Sequence, residues 1–212
     1  MNWSEKNVLI TGGNGFLGSF LIEQLDKKNV KNLVIPTSKD YDLRSRIDCR
    51  NVLKDIDVVF HLAGNQGGIG FLKENPADVF YDNIMMGTNL IHESKEANIE
   101  KLITLGTICS YPKFSPLPFD EENIWDGYPE ETNASYGLAK KMLLVQSQAY
   151  KEQYGFNSIV LIPTNIYGPK DNFDPKYSGV IPTLINKIST AKKQNEKSIT
   201  LWGDGTPSRD FL

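Results

Sequence analysis

The chain has 212 residues, a formal net charge of −3, two cysteines and two histidines. The small net charge gives no reason to expect nucleic acid or an anionic membrane surface as a partner. Two cysteines exclude a disulfide framework and a cysteine-based metal cluster, and no apolar run approaches the ~20 residues that span a bilayer. Since no signal peptide precedes the first apolar run, we expect a soluble, cytoplasmic protein.

A glycine-rich turn separates the first predicted strand from the first predicted helix. The run Asn7–Thr11 is apolar and β-branched, which is typical of a buried parallel strand, and apolar residues recur at helical spacing over residues 16–25. The turn and the start of this helix contain Gly12, Gly13, Asn14, Gly15, Phe16 and Gly18. Glycines here permit a tight turn, close approach of a phosphate and packing of the helix on the strand. The pattern therefore predicts a site for a dinucleotide pyrophosphate.

Strands and helices continue to alternate along the chain. We predict strands over residues 32–35, 56–63, 100–106 and 158–162, helices over 77–98 and 134–154, and an ordered surface loop over 111–132. This succession predicts an α/β fold with a doubly wound parallel sheet of the Rossmann type, with ligands at the carboxyl ends of the strands. We assign residues 1–170 to a dinucleotide-binding domain and 171–212 to the start of a smaller substrate-binding part. The final polar turn, without a closing helix, suggests a fragment of a longer protein.

Tyr136 and Lys140 lie one helical turn apart, so both side chains project from one face of the predicted helix. An ammonium ~4 Å from a phenol, at an effective dielectric of about 20, favours the phenolate by roughly 4 kcal/mol, or about three pKa units. We therefore expect Lys140 to bring Tyr136 toward the range of a general acid. Thr107 ends the preceding strand and supplies a hydroxyl that can polarise a carbonyl, with Ser110 as the alternative.

The chain resembles the extended short-chain dehydrogenase/reductases, and within them the GDP-L-fucose synthase subgroup. The resemblance includes the glycine turn and the blocks at residues 106–113, 136–140, 163–169, 180–182 and 202–212. It implies an enzyme that converts GDP-4-keto-6-deoxy-D-mannose to GDP-L-fucose, by epimerisation at C3 and C5 and reduction at C4 with NADPH. It also implies a homodimer joined by two long helices from each subunit, with a GDP-linked sugar as substrate and no metal.

Roles for individual residues follow from the resemblance. It gives Thr107 the hydroxyl role and makes Tyr136 the acid that protonates the C4 oxygen. Lys140 would hold the cofactor ribose, and Cys109 would be the epimerisation base. Further cofactor contacts implied by position are Leu62, Ala63, Gly64, Pro163, Asn165 and Ile166. Ser38 and Lys39, where the chain departs from the family, could meet a 2′-phosphate. Implied substrate contacts are Asn165, Lys187, Trp202 and Arg209, and the planar guanidinium of an arginine suits a diphosphate.

Two departures from the family pattern leave alternatives open. Gly179 stands where the family has the histidine that is the epimerisation acid. The chain is therefore either a complete epimerase-reductase with another acid, or a nucleotide-sugar 4-ketoreductase or 4-epimerase without 3,5-epimerisation. A non-catalytic dinucleotide-binding module is the third hypothesis. Ser38 and Lys39 follow the second strand where the family has an arginine run, and no acidic residue ends that strand, so we favour NADP, with NAD as the alternative.

Overall fold

The computed structural model describes residues 1–174, 177–206 and 208–212; Pro207, within the block at 202–212, lies outside them. Its strands are β1 (Asn7–Thr11), β2 (Asn32–Val34), β3 (Val58–His61), β4 (Lys101–Leu105) and β5 (Ser158–Leu161). Its α-helices are α1 (Phe16–Asp26), α2 (Arg46–Val52), α3 (Ile69–Glu74), α4 (Pro76–Glu96), α5 (Ala134–Tyr154) and α6 (Val180–Lys193). Short 3-10 helices cover Trp3–Glu5, Ile108–Ser110 and Glu121–Trp125.

The five strands form one sheet in the order β2-β1-β3-β4-β5, and every neighbouring pair is parallel. Because all strands run the same way, their carboxyl ends meet at one edge, where Thr11, His61 and Thr104 lie opposite one another in the register. The predicted parallel α/β architecture is confirmed.

Helices cover both faces of the sheet. On one face, side chains such as Leu9, Val59 and Leu102 are buried in a core shared with residues of α2, α4 and α5. On the other face, Val8 and Ile10 are buried with residues of α1. Alternate residues of one strand thus serve different cores, as expected of a strand buried on both sides. This arrangement confirms the doubly wound sheet.

Most predicted elements are present, with ends that differ by a few residues. The prediction missed α2, α3 and α6. Helices α2 and α3 have seven and six residues, too few to show a helical period. The side chain of Ser45 caps α2 by accepting from the Asp48 backbone nitrogen. Within the part of the chain that the structure describes, no helix is long and apolar enough to cross a bilayer.

Candidate active site

The turn after β1 is shaped by glycines that no other residue can replace. Gly12 has a φ of +72°, and a Cβ there would lie 2.7 Å from the Ala63 backbone nitrogen. A Cβ on Gly18 would lie 2.4 Å from the Gly12 carbonyl oxygen, so Gly18 lets α1 pack on the turn itself. Gly15 is the N-cap residue of α1, and no side chain of the described residues caps this helix. Its first backbone N–H groups are therefore available to an anion, and the turn fits a pyrophosphate.

The segment that follows β3 lies directly against this turn. Besides Ala63, the carbonyl carbon of Leu62 lies 2.8 Å from the position of a Cβ on Gly12. The Ala63 N–H also donates to Thr11 Oγ1, at 3.4 Å. A Cβ on Gly64 would lie 3.6 Å from Lys140 Nζ. The structure therefore brings the predicted cofactor residues of two strand ends together with the amine of α5.

Asn83 belongs to this site, although the sequence analysis did not single it out. Its side chain is buried in α4, and Nδ2 donates to the carbonyls of Asn65 and Val79 at 2.7 Å each. Its Oδ1 accepts from the Asn65 backbone N–H at 3.2 Å. Asn83 thus fixes the loop after Gly64 beside Lys140. The buried face of α4 also contains Glu93 and Ser94, so the sequence pattern alone does not indicate Asn83.

The loop after β2 carries the residues assigned to the adenosine end of the cofactor. Ser38 and Lys39 are both exposed. In the same loop, the backbone N–H and hydroxyl of Thr37 donate to Asp40 Oδ2 at 3.0 and 2.7 Å. These hydrogen bonds hold the pKa of Asp40 below its usual value. The Asp40 carboxylate therefore accepts hydrogen bonds within its own turn, and the exposed Lys39 precedes it in the chain.

Beyond β4, the chain turns so that Thr107 and Cys109 face the start of α5. Thr107 caps the 3-10 helix Ile108–Ser110, with Oγ1 accepting from the Cys109 backbone N–H at 3.1 Å. A Cβ on Gly137 would lie 2.1 Å from the Cys109 carbonyl oxygen, so only glycine allows this contact. The Ser110 hydroxyl is buried and donates to the Gly137 carbonyl at 2.8 Å. Since Ser110 is committed to packing, Thr107 is the better candidate for the hydroxyl role.

The two titrating groups of α5 are both shifted by burial. Burial lowers the pKa of Lys140 to about 8. Burial, with the neighbouring Cys109, raises the pKa of Tyr136 above its ordinary value. The expectation that Lys140 lowers the Tyr136 pKa was wrong for this structure, because desolvation of the phenol outweighs any stabilisation of the phenolate. Tyr136 is therefore a protonated phenol at neutral pH, able to donate a proton.

Cys109 lies in an environment that opposes the thiolate. Burial raises its pKa, while a hydrogen bond with Thr107 lowers it. The charges of Glu130 and Arg209 act on the thiol in opposite directions, Glu130 raising and Arg209 lowering the pKa. Arg209 is thus close enough to the predicted catalytic group to influence its charge.

The residues assigned to the substrate form two groups. Asn165 follows β5 with Pro163 and Ile166, and its Nδ2 donates to the Asp210 carbonyl at 2.9 Å, which joins it to the segment that carries Arg209. Lys187 lies on α6, donates to the Thr200 carbonyl at 3.1 Å and lies 5.6 Å from the centre of the Trp202 ring. Among the described residues, no hydrogen bond or ring contact joins the two groups.

Gly179 is the N-cap residue of α6, and no atom of the described residues lies within 4 Å of the position of a Cβ there. The neighbouring Ser178 is buried and shares a 2.7 Å hydrogen bond with the Thr183 hydroxyl. A larger side chain at position 179 is therefore sterically acceptable, although the chain has none. Among the described residues, no cluster of His, Cys, Asp and Glu has the arrangement of a metal site.

The parallel sheet and the glycine turn have the form of a dinucleotide-binding fold, and Thr107, Tyr136 and Lys140 are the candidates for its reactive groups. Residues 8–212 match the NAD dependent epimerase/dehydratase family, and the chain belongs to that family.

Named relatives make the likeness more specific. The chain is 37% identical over 214 residues to the GDP-L-fucose synthase of Escherichia coli, a match that covers 99% of this chain and 66% of the relative. The chain thus spans about two thirds of the length of the relatives that it matches.

Solved structures agree with this likeness. A GDP-L-fucose synthetase from Naegleria fowleri bound to NADP has a TM-score of 0.88 and 30% identity, covering 99% of this chain and 65% of that one. A GDP-mannoheptose C4 reductase from Campylobacter jejuni with NADP bound has a TM-score of 0.82 and 31% identity, covering 91% and 60%.

Proposed function

We propose that the chain carries the cofactor half and the catalytic residues of an NADP-dependent enzyme that converts GDP-4-keto-6-deoxy-D-mannose to GDP-L-fucose. The observation that carries the proposal is that α5 brings Lys140 beside Gly64, next to the glycine turn, while the start of the same helix packs on the segment of Thr107 and Cys109. The 37% identity to the E. coli GDP-L-fucose synthase supports this choice of substrate.

The proposed cofactor is NADP, supported by two solved relatives that bind it. The glycine turn would hold the pyrophosphate, and Ser38 and Lys39 would meet the 2′-phosphate. Asp40, the acidic residue of this loop, accepts hydrogen bonds from Thr37 within the loop itself. Lys140, beside Gly64, would donate hydrogen bonds to the nicotinamide ribose. NAD would instead favour an acidic residue that faces the ribose hydroxyls.

Each residue then has a defined part in the reduction. NADPH bound in this site would supply a hydride for the reduction of the C4 ketone to an alcohol. Tyr136, a protonated phenol at neutral pH, gives its proton to the C4 oxygen, and the Thr107 hydroxyl donates a hydrogen bond to the same oxygen. Lys140, one turn along the same helix, would contribute positive charge to the site as the phenol loses its proton. Arg209 would bind the diphosphate in a two-pronged contact.

A second candidate function is reduction at C4 without epimerisation. Gly179 has no side chain to donate a proton, and burial raises the pKa of the Cys109 thiol. Both observations weaken acid–base chemistry at C3 and C5, and neither affects Tyr136. The likeness to a GDP-mannoheptose C4 reductase fits this candidate.

The proposal includes assembly and location. We propose a homodimer in which α4 and α5 of each subunit form a four-helix interface, because these helices pack together and carry exposed apolar side chains. The proposed location is the cytoplasm. The division at residue 170 also stays a prediction, with 171–212 as the start of the substrate-binding part.

Deuterium labelling tests both candidates in one experiment. The chain, with whatever flanking sequence its gene encodes, is mixed with GDP-4-keto-6-deoxy-D-mannose and NADPH in deuterated water. Consumption of NADPH with deuterium at C3 and C5 is the result expected of the complete enzyme. Consumption without deuterium identifies the C4 reductase. No consumption contradicts both. The Gly179→His variant should increase deuterium incorporation if the missing side chain limits epimerisation.

A further inference from the structure

Three polar side chains form a buried row across the sheet under α4 and α5. Thr11, His61 and Thr104 lie opposite one another on β1, β3 and β4, and each is at most 1% exposed. Each lies two residues after a core residue of the face that α4 and α5 cover, namely Leu9, Val59 and Leu102. Since side chains alternate along a strand, the row belongs to that same face.

The hydrogen bonds of the row are incomplete within the protein. His61 Nδ1 is 2.8 Å from Thr11 Oγ1. His61 Nε2 and Thr104 Oγ1, which are neighbours in the register, have no hydrogen-bond partner among the described residues. Leaving such a group unpaired in a protein interior costs about 1–3 kcal/mol. Side chains on adjacent strands start ~5 Å apart, a spacing that lets one water molecule bridge two polar groups.

Lys140 lies next to this row. It is 3% exposed and belongs to α5, which covers the same face of the sheet. Its Nζ is 3.6 Å from the position of a Cβ on Gly64, three residues beyond His61. Burial and the charge of Lys140 lower the pKa of His61 to about 3. His61 is therefore neutral and carries one ring proton, on either Nδ1 or Nε2.

We propose that a water molecule bridges His61 Nε2 and Thr104 Oγ1, and that His61 acts through this row as a positioning residue for the Lys140 ammonium. The Nδ1–H donates to Thr11, and Nε2 accepts from the water, which places a hydrogen-bond acceptor near the buried amine. An acceptor in this place stabilises the charged form of the lysine. The consequence for catalysis rests on the proposed function, in which Lys140 supports Tyr136.

The hydrogen-bonded row can be tested without any sugar substrate. The chain has two histidines, so ¹⁵N-imidazole NMR shows two side chains, and the His92→Gln variant assigns them. We expect His61 to stay neutral from pH 5 to 8 with its proton on Nδ1. Thr104→Val should shift the Nε2 resonance, and Thr104→Ser should restore it. A proton on Nε2, or no response to Thr104→Val, would overturn the proposed water bridge even if the protein proves to be an active reductase.

The effect on Lys140 needs a second readout. In NADPH-dependent turnover, the alkaline limb of the kcat profile should move to lower pH by roughly half a unit or more in His61→Leu, because the ammonium loses an acceptor. Thr104→Val should move it less, and Thr104→Ser should not move it. Ser94→Ala is the matched control. The Ser94 hydroxyl is also buried and has no hydrogen-bond partner among the described residues, but it lies on α4 and not in the row on the strands. If the alkaline limb of the kcat profile does not move in His61→Leu, the positioning role of His61 is refuted. If the protein shows no turnover, the NMR experiment still decides whether the water bridge exists.

Discussion

Gly137 lets the start of α5 pack directly on the segment that carries Cys109. The Cys109 carbonyl occupies the space where a Cβ would stand, at 2.1 Å. Tyr136 precedes this contact, and Lys140 follows it by one turn. The position of both groups therefore depends on the absence of a side chain at residue 137.

Adding one carbon at this position should disturb both stability and the site. We expect Gly137→Ala to lower the free energy of unfolding by about 2 kcal/mol or more, because a backbone oxygen cannot move aside as a side chain would. Urea denaturation measures the loss. Gly155→Ala is the comparison for a glycine required by backbone conformation and not by close packing. Gly155 has a φ of +65°, and no described atom lies within 4 Å of a Cβ there. Equal stability of Gly137→Ala and the parent protein would contradict the packing described for α5.

The buried amine of Lys140 should give a pH-dependent stability. Its pKa is about 8 in the folded protein and 10.5 in the reference state. Between these values the unfolded chain binds more protons, so stability relative to Lys140→Met should rise with pH, by at most about 3 kcal/mol. The difference between the two proteins isolates Lys140 from the cysteines and tyrosines that titrate nearby. A constant difference from pH 7 to 10 would show that the amine is not desolvated.

A buried carboxylate lies between α4 and α2, away from the candidate active site. Glu93 of α4 is 1% exposed and accepts hydrogen bonds from Arg46 and Arg50 of α2. Arg50, and then Arg46, hold the pKa of Glu93 below its usual value despite burial. These two ion pairs join α2 to α4, one of the two 21-residue helices on this face of the sheet.

Neutralising this carboxylate should weaken the fold. We expect Glu93→Gln to lower the free energy of unfolding by about 2 kcal/mol at pH 7, less than for a fully buried pair because both arginines are half exposed. The loss should shrink below pH 4.5, where the unfolded carboxylate binds a proton. The exposed pair of Glu100 with Lys6 supplies the control, since Glu100→Gln should cost under ~1 kcal/mol. Equal losses at both positions would show that burial of Glu93 does not matter.

The sequence predicted what depends on local pattern. Strand, glycine turn and helix follow one another in the order that the residues indicate, and α5 has the predicted ends, Ala134–Tyr154. The roles of Asn83 and His61 depend on how elements pack, and no spacing along the chain reveals them. The direction of the Tyr136 pKa depends on burial, which outweighs the sequence-based argument from Lys140.

At the scale of the whole chain, the two longest helices, α4 and α5, expose apolar and aromatic side chains. Phe80 and Tyr81 of α4, with Met142 and Val145 of α5, are 39–54% exposed although apolar or aromatic. Exposed patches of this kind on packed helices mark protein interfaces. The proposed homodimer would bury them.

Charges on this surface should separate the subunits. We expect Tyr81→Glu combined with Val145→Glu to convert a dimer to a monomer, measured by analytical ultracentrifugation, because a buried carboxylate without a partner opposes association. Circular dichroism checks that the fold is retained. Ile47→Glu is the control, because Ile47 is 69% exposed on α2 and lies outside this surface. A dimer that resists the double variant would place the interface elsewhere.

The most direct measurement is NADPH oxidation with GDP-4-keto-6-deoxy-D-mannose by the parent protein and by Tyr136→Phe. If Tyr136 protonates the C4 oxygen, the variant should bind NADPH with unchanged affinity while kcat falls by about 10² to 10⁴. Fluorescence titration of NADPH checks the binding. A variant that oxidises NADPH as fast as the parent protein would contradict the assignment of the active site.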